Sequence, residues 1–199
     1  MSDLKTLRGL SGLSAEPASL KSAALVLIDL QNTYRDGVLR LSGVEPAIAE
    51  AKTLLERARA AGAPVFHIRH NAGPGSPYDV TAEIGQISPE VGPQGDEPVI
   101  TKAFPSAFVS TDLEEQLKRA GVTDLILAGF MTHMCVNSTA RSAFNLGFQP
   151  TVVASATATR DLPAPDGSVL PAAQLQAASL AALGDLFAVV ARGVDEIRH

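Results

Sequence analysis

The chain has one cysteine, Cys135, and no CxxC pair in its 199 residues. That excludes an internal disulfide, redox chemistry through a paired thiol motif and cysteine-rich zinc binding. A reducing, cytoplasmic setting is the expectation for such a chain. Charge is scarce as well: 19% of residues are charged and the net charge is -5. This leaves no basic footprint for a nucleic acid and no polybasic patch for a membrane surface. No apolar run reaches the roughly 18 to 20 residues of a bilayer-spanning helix. The opening MSDLKTLRGL lacks the apolar stretch of a secretory signal. There is no internal repeat and no low-complexity tract.

What is present is an ordinary globular composition, 46% hydrophobic, of a size that suits one domain with a sizeable core. Six short apolar runs read as strands: 23–29, 64–70, 98–102, 124–129, 150–156 and 186–191. Most are continuous rather than alternating, the pattern of parallel strands covered on both faces. Helical patterns lie between most of them, over 45–61, 111–120, 134–146 and 171–183. The first places Ile48, Ala51, Leu54, Leu55 and Ala58 on one face and stops at Gly62. The second opens with the capping-box spacing Thr111-Asp112-Leu113-Glu114. The last starts at Pro171 and stops at Gly184. Alternation of this kind predicts an α/β fold: a three-layer α/β/α sandwich around a mostly parallel, Rossmann-like six-stranded sheet. Residues 1–20 read as an N-terminal arm, packed on the body or on a neighbouring subunit, and 21–199 as the domain. The Gly/Pro-rich stretch 71–97 is long enough to be a functional loop, and 160–170 reads as a second surface loop.

In open α/β sheets, ligands bind beyond the carboxyl ends of the strands. Three chemically capable residues fall there: Asp29 ends the first run, Lys102 the third, and Cys135 follows the fourth where a helix begins. Each has an ordinary structural reading: Asp29 as a helix cap, Lys102 as a side chain leaving for solvent, Cys135 as a small buried apolar residue. Their joint placement favours one site. A thiol attacks as thiolate, and both the positive end of a helix and the Lys102 ammonium favour that anion. On this reading Cys135 is held ionised and alkylates quickly below pH 8, with Asp29 as the proton acceptor.

Three blocks make the resemblance specific: ALVLIDLQNTY (24–34), VITKAFPSAF (99–108) and LILAGFMTHMCVNSTARSAFNLGF (125–148). Over roughly residues 22 to 192 the chain resembles the isochorismatase-like cysteine hydrolases, the superfamily of nicotinamidases and N-carbamoylsarcosine amidohydrolases. The resemblance implies a catalytic triad of Asp29, Lys102 and Cys135, and a cis peptide between Phe130 and Met131. It implies an oxyanion hole formed by the backbone N–H groups of Met131 and Cys135. It also implies a homo-oligomer, a dimer or larger.

The chain departs from the nicotinamidase pattern after the second strand. There the family carries a metal-binding D-x-H, and this chain reads HIRHNAGPGSP, with His67 and His70 but no aspartate two residues before a histidine. The expectation is therefore no metal and no cofactor. Isochorismatases proper lack the nucleophilic cysteine, so Cys135 points instead to a small-molecule amide or N-carbamoyl substrate. Candidate pocket residues are Gln31, Tyr34, His70, Phe104 and Phe108, with Phe108 equally readable as core. Met131 and Met134 read as adaptable filler, His133 as an exposed residue of the first helical turn, and Arg69 and Arg160 as possible carboxylate contacts.

Overall fold

A computed structural model describes residues 4–199; the first three residues of the expected arm lie outside them. A six-stranded sheet occupies the centre. Its strands are β1 (Ala23–Ile28), β2 (Val65–His70), β3 (Val99–Lys102), β4 (Asp124–Phe130), β5 (Gln149–Ala158) and β8 (Val189–Ala191). They run in the order β3-β2-β1-β4-β5-β8, every neighbouring pair parallel. The helices are α1 (Leu7–Leu10), α2 (Val44–Ala60), α3 (Leu113–Arg119), α4 (Asn137–Asn145) and α5 (Ala172–Asp185). The predicted three-layer α/β sandwich is thus the observed fold.

Alternation along β1 explains the layers. Leu25 and Leu27 join the core beneath α2, where Ala47, Ile48, Ala51, Leu54, Leu55 and Ala58 are buried. Ala24, Val26 and Ile28 point the other way, into a second core with Leu113 and Leu117 of α3, Ala140 and Ala143 of α4 and Leu183 of α5. Both faces of β1 are therefore dry, as its unbroken apolar run predicts.

Some local expectations are corrected. The capping box is not formed: Asp112 flanks α3 without a side-chain cap, and the Thr111 hydroxyl donates back to the Ala107 carbonyl. α5 runs through Gly184, the expected stop, to Asp185. The 160–170 loop contains a small antiparallel hairpin, β6 (Leu162–Pro163) with β7 (Val169–Leu170). The helix expected over 134–146 begins later; Thr132–Val136 form a wide π-type turn, closed by the Val136 N–H on the Met131 carbonyl at 3.2 Å.

The arm packs on its own domain. The Arg8 side chain is buried and donates to the Ser14 carbonyl at 2.6 Å and to the Leu186 carbonyl at 3.1 Å. The Leu7 N–H donates to Asp185 Oδ1 at 2.9 Å. The long 71–97 stretch carries two 3-10 turns, Glu83–Gly85 and Pro89–Val91. Asp79 ties its first half together by accepting from the Gly75 and Thr81 N–H groups and the Thr81 hydroxyl.

Candidate active site

The strand order turns around between β1 and β4, so the loops leaving them diverge and open a crevice at the carboxyl edge. Asp29 leaves β1 with φ 50, a left-handed conformation that aspartate tolerates better than most side chains. Its N–H extends the ladder to the Ile68 carbonyl at 3.0 Å, and its carbonyl accepts from the Gln31 N–H at 2.8 Å. The helix-cap reading is thereby corrected. The next turn, Asn32–Tyr34, is flanked by Gln31, and neither carboxylate oxygen of Asp29 accepts a hydrogen bond among the described residues.

Lys102 ends β3 and turns inward; it is 2% exposed, which overturns its reading as a solvent-facing lysine. Its Nζ lies 2.7 Å from Asp29 Oδ2, with both side chains fully buried. The contact is close but off the hydrogen-bonding direction, so it acts as an ion pair. The same Nζ donates to Cys135 Sγ at 3.4 Å. Cys135 sits in the wide turn after β4, 5% exposed, and the Phe130–Met131 peptide before it is cis. Asp29, Lys102 and Cys135, far apart in sequence, thus meet through one ammonium group.

The electrostatics correct one expectation. Burial and the adjacent Asp29 charge outweigh Lys102, and the Cys135 thiol is pushed up to about 12. At neutral pH the resting sulfur is protonated, not held as thiolate. The physical reason is the dryness of the site: it penalises the anion more than one cation, shared with Asp29, restores.

The candidate pocket residues divide. Tyr34 is fully buried, edge-on to Phe130 and hydrogen-bonded through its hydroxyl to the Tyr78 hydroxyl at 3.2 Å. His70 Nδ1 lies 3.1 Å from Lys102 Nζ. Gln31 has its amide committed: Nε2 donates to the His70 and Gly85 carbonyls, and Oε1 accepts from the His70 N–H. Phe104 is 49% exposed. Phe108 stacks on Phe148 and packs, partly buried, against the second core, as its alternative reading has it. Met131 is buried and Met134 exposed. His133 is half-buried rather than exposed, because its Nδ1 pairs with Thr159 Oγ1 at 2.6 Å. Arg69 Nε donates to Thr101 Oγ1 on the neighbouring strand. Arg160 lines a polar surface concavity of about 340 Å³ with Arg40, Ser42 and Asp161, beside the end of β5. No triad residue lines that concavity, and the 5% exposure of Cys135 makes access to the sulfur narrow.

Tyr78 was not singled out from the sequence. It comes from the Gly/Pro-rich loop, and its ring meets those of His70, at 4.7 Å, and Tyr34, at 5.9 Å. A lone aromatic in such a stretch is the only signal that marks it.

The histidine donors of β2 do not suit a metal. Nε2 of His67 pairs with Glu97 at 2.9 Å, and Nδ1 of His70 faces an ammonium. Among the described residues no three His, Cys, Asp or Glu side chains converge to hold an ion.

The comparisons with known proteins agree with this architecture. Residues 23–193 match the Isochorismatase domain family. The chain is 34% identical to the secreted isochorismatase effector Isc1 of Verticillium dahliae, over 96% of this chain and 99% of that one. It is 36% identical to a streptothricin hydrolase of Streptomyces noursei, over 85% of this chain and 62% of that one. The crystal structure of an isochorismatase from Pseudomonas putida KT2440 superposes with a TM-score of 0.94 at 41% identity, covering 98% of this chain and 99% of that one. With the fold, the turn before Cys135 and these likenesses together, the chain belongs to the isochorismatase family of hydrolases.

Proposed function

We propose that the protein is a metal-independent cysteine hydrolase that cleaves the C–N bond of a small amide or N-carbamoyl compound through a thioester on Cys135. The observation that carries this reading is the Lys102 ammonium, 2.7 Å from Asp29 and 3.4 Å from Cys135 in a dry cluster. Amide-cleaving relatives support the substrate class: a ureidoacrylate amidohydrolase of Stutzerimonas stutzeri is 30% identical over 71% of this chain.

Because the resting thiol is protonated, attack and deprotonation are coupled. Asp29 accepts the S–H proton as Sγ bonds to the carbonyl carbon. The carbonyl oxygen takes up the negative charge and is met by the Met131 and Cys135 backbone N–H groups, an interaction of a kind worth about 3 to 4 kcal/mol. Asp29 then gives its proton to the departing nitrogen, and the C–N bond breaks to leave a thioester. Water delivers a proton to Asp29 and its oxygen to the thioester carbon. The sulfur departs and recovers that proton from Asp29. Lys102 stays positive throughout and stabilises whichever partner is anionic.

The test is to incubate the protein with a library of amides, carbamoyl compounds and esters and to weigh the adduct on Cys135. A mass increase on the peptide bearing Cys135, absent in Cys135→Ala, supports the reading and identifies the acyl portion. A Cys135→Ala variant with full turnover overturns it.

A second reading is favoured by the isochorismatase names among the relatives and by the protonated thiol. It makes Asp29 the acid in vinyl-ether cleavage and Cys135 incidental. Full activity in Cys135→Ala with loss in Asp29→Asn would establish it.

A further inference from the structure

His70 is held on three sides. Its backbone is clamped by Gln31, which accepts from its N–H at 2.8 Å and donates to its carbonyl at 2.9 Å. Its ring stands edge-to-face against Tyr78 at 4.7 Å. Its Nδ1 faces Lys102 Nζ at 3.1 Å, across the register pair His70–Lys102 of β2 and β3. An ammonium has three N–H donors and no acceptor, so Nδ1 must offer its lone pair and the imidazole proton sits on Nε2. Burial and the Lys102 charge both lower the pKa of His70, which agrees with a neutral ring.

Lys102 therefore has three neighbours: an ion-pair partner in Asp29 Oδ2 at 2.7 Å, and two acceptors for its protons in His70 Nδ1 at 3.1 Å and Cys135 Sγ at 3.4 Å. Asp29 and Cys135 change charge during the proposed reaction and His70 does not. An ammonium bound only to the first two would follow the carboxylate and leave the sulfur. We infer that His70 is a positioning residue, a neutral acceptor that fixes the Lys102 ammonium between Asp29 and Cys135, and that Gln31 acts by holding His70. This rests on the triad reading above. It also gives the histidine that ends β2 a role that requires no metal.

The test reads the sulfur without needing a substrate. Cys135 is the only cysteine, so its alkylation by iodoacetamide can be followed as a function of pH in the intact protein. His70→Leu removes the acceptor, and the alkylation profile should move up by about one pH unit, which is about tenfold slower reaction at a fixed pH below the thiol pKa. His70→Asn places an amide oxygen near the Nδ1 position and should restore most of the rate. Should the leucine variant fail to fold, His70→Gln, whose oxygen reaches the Nε2 position instead, takes its place and should behave like an acceptor loss. A profile unchanged by His70→Leu, or an asparagine variant no faster than the leucine or glutamine variant, overturns the inference. Failure of the hydrolase reading is seen separately, as turnover that survives Cys135→Ala.

Discussion

Gly129 of β4 lies against Ile28 of β1 so closely that a Cβ on the glycine would sit 1.9 Å from the Ile28 carbonyl oxygen. The glycine also has φ 122, outside the range of other residues. The two strands that deliver Asp29 and Cys135 approach one another only because this position has no side chain. Gly129→Ala should cost about 3 to 5 kcal/mol in denaturant unfolding, since rigid backbone cannot move aside. A loss under about 1 kcal/mol would show that the strands can separate freely.

Asp29 plays opposing parts in thiol chemistry. Its charge raises the pKa of Cys135, and on the proposed mechanism it also removes the proton. At pH 8 the wild-type thiol should therefore alkylate more slowly than free cysteine, whose pKa is about 8.5. Asp29→Asn should speed alkylation while lowering turnover about 10²- to 10⁴-fold, the span expected for loss of a general base. If both rates fell together, Asp29 would be lowering the thiol pKa, contrary to its placement.

The buried ion pair predicts a non-additive cycle. Lys102→Met leaves the Asp29 carboxylate dry and unpaired and should destabilise the fold by about 3 to 5 kcal/mol. Adding Asp29→Asn should recover part of that loss, because the second change removes the stranded charge. A double-variant loss equal to the sum of the separate Lys102→Met and Asp29→Asn losses, measured by urea unfolding, would mean the pair is not coupled.

Away from the site, Glu97 binds Arg59 at 2.7 Å and His67 at 2.9 Å and anchors the far end of the 71–97 stretch. The Arg59 hydrogen bond lowers the Glu97 pKa from 4.5 to about 2, so its stabilisation is complete above pH 4.5 and fades as pH falls towards 2. Burial lowers the His67 pKa from 6.5; below that value the unfolded chain takes the proton first, and stability falls again. The melting temperature should hold between pH 8 and 7, drop progressively below about pH 6.5 and drop further below about pH 4.5. The gap between wild type and Glu97→Gln should narrow across the lower range. A gap constant from pH 7 to pH 3 would rule out this titration.

The legible parts of the chain were those carried by local pattern. Continuous apolar runs in β1 and β4 identified parallel strands because both of their faces are covered, and the α2 face from Ile48 to Ala58 was readable from its spacing. Asp29, Lys102 and Cys135 could be brought together on paper because a parallel sheet puts the ends of its strands on one edge. Local pattern misled at Thr111, whose hydroxyl donates to the Ala107 carbonyl and accepts from the Leu113 N–H, rather than from the Glu114 N–H as a capping box requires. It was silent on Tyr78, whose place depends on how a loop folds back.

By itself the sequence determined the layered fold and the placing of Asp29, Lys102 and Cys135 towards one edge of the sheet, because these follow from hydrophobic period and strand direction. Only the tertiary structure decided the protonation of Cys135, the commitment of Gln31 to His70 and the sharing of one ammonium among three neighbours. Those depend on distances of a few ångströms and on the exclusion of water, quantities set by how separate segments pack rather than by the order of residues within any one of them.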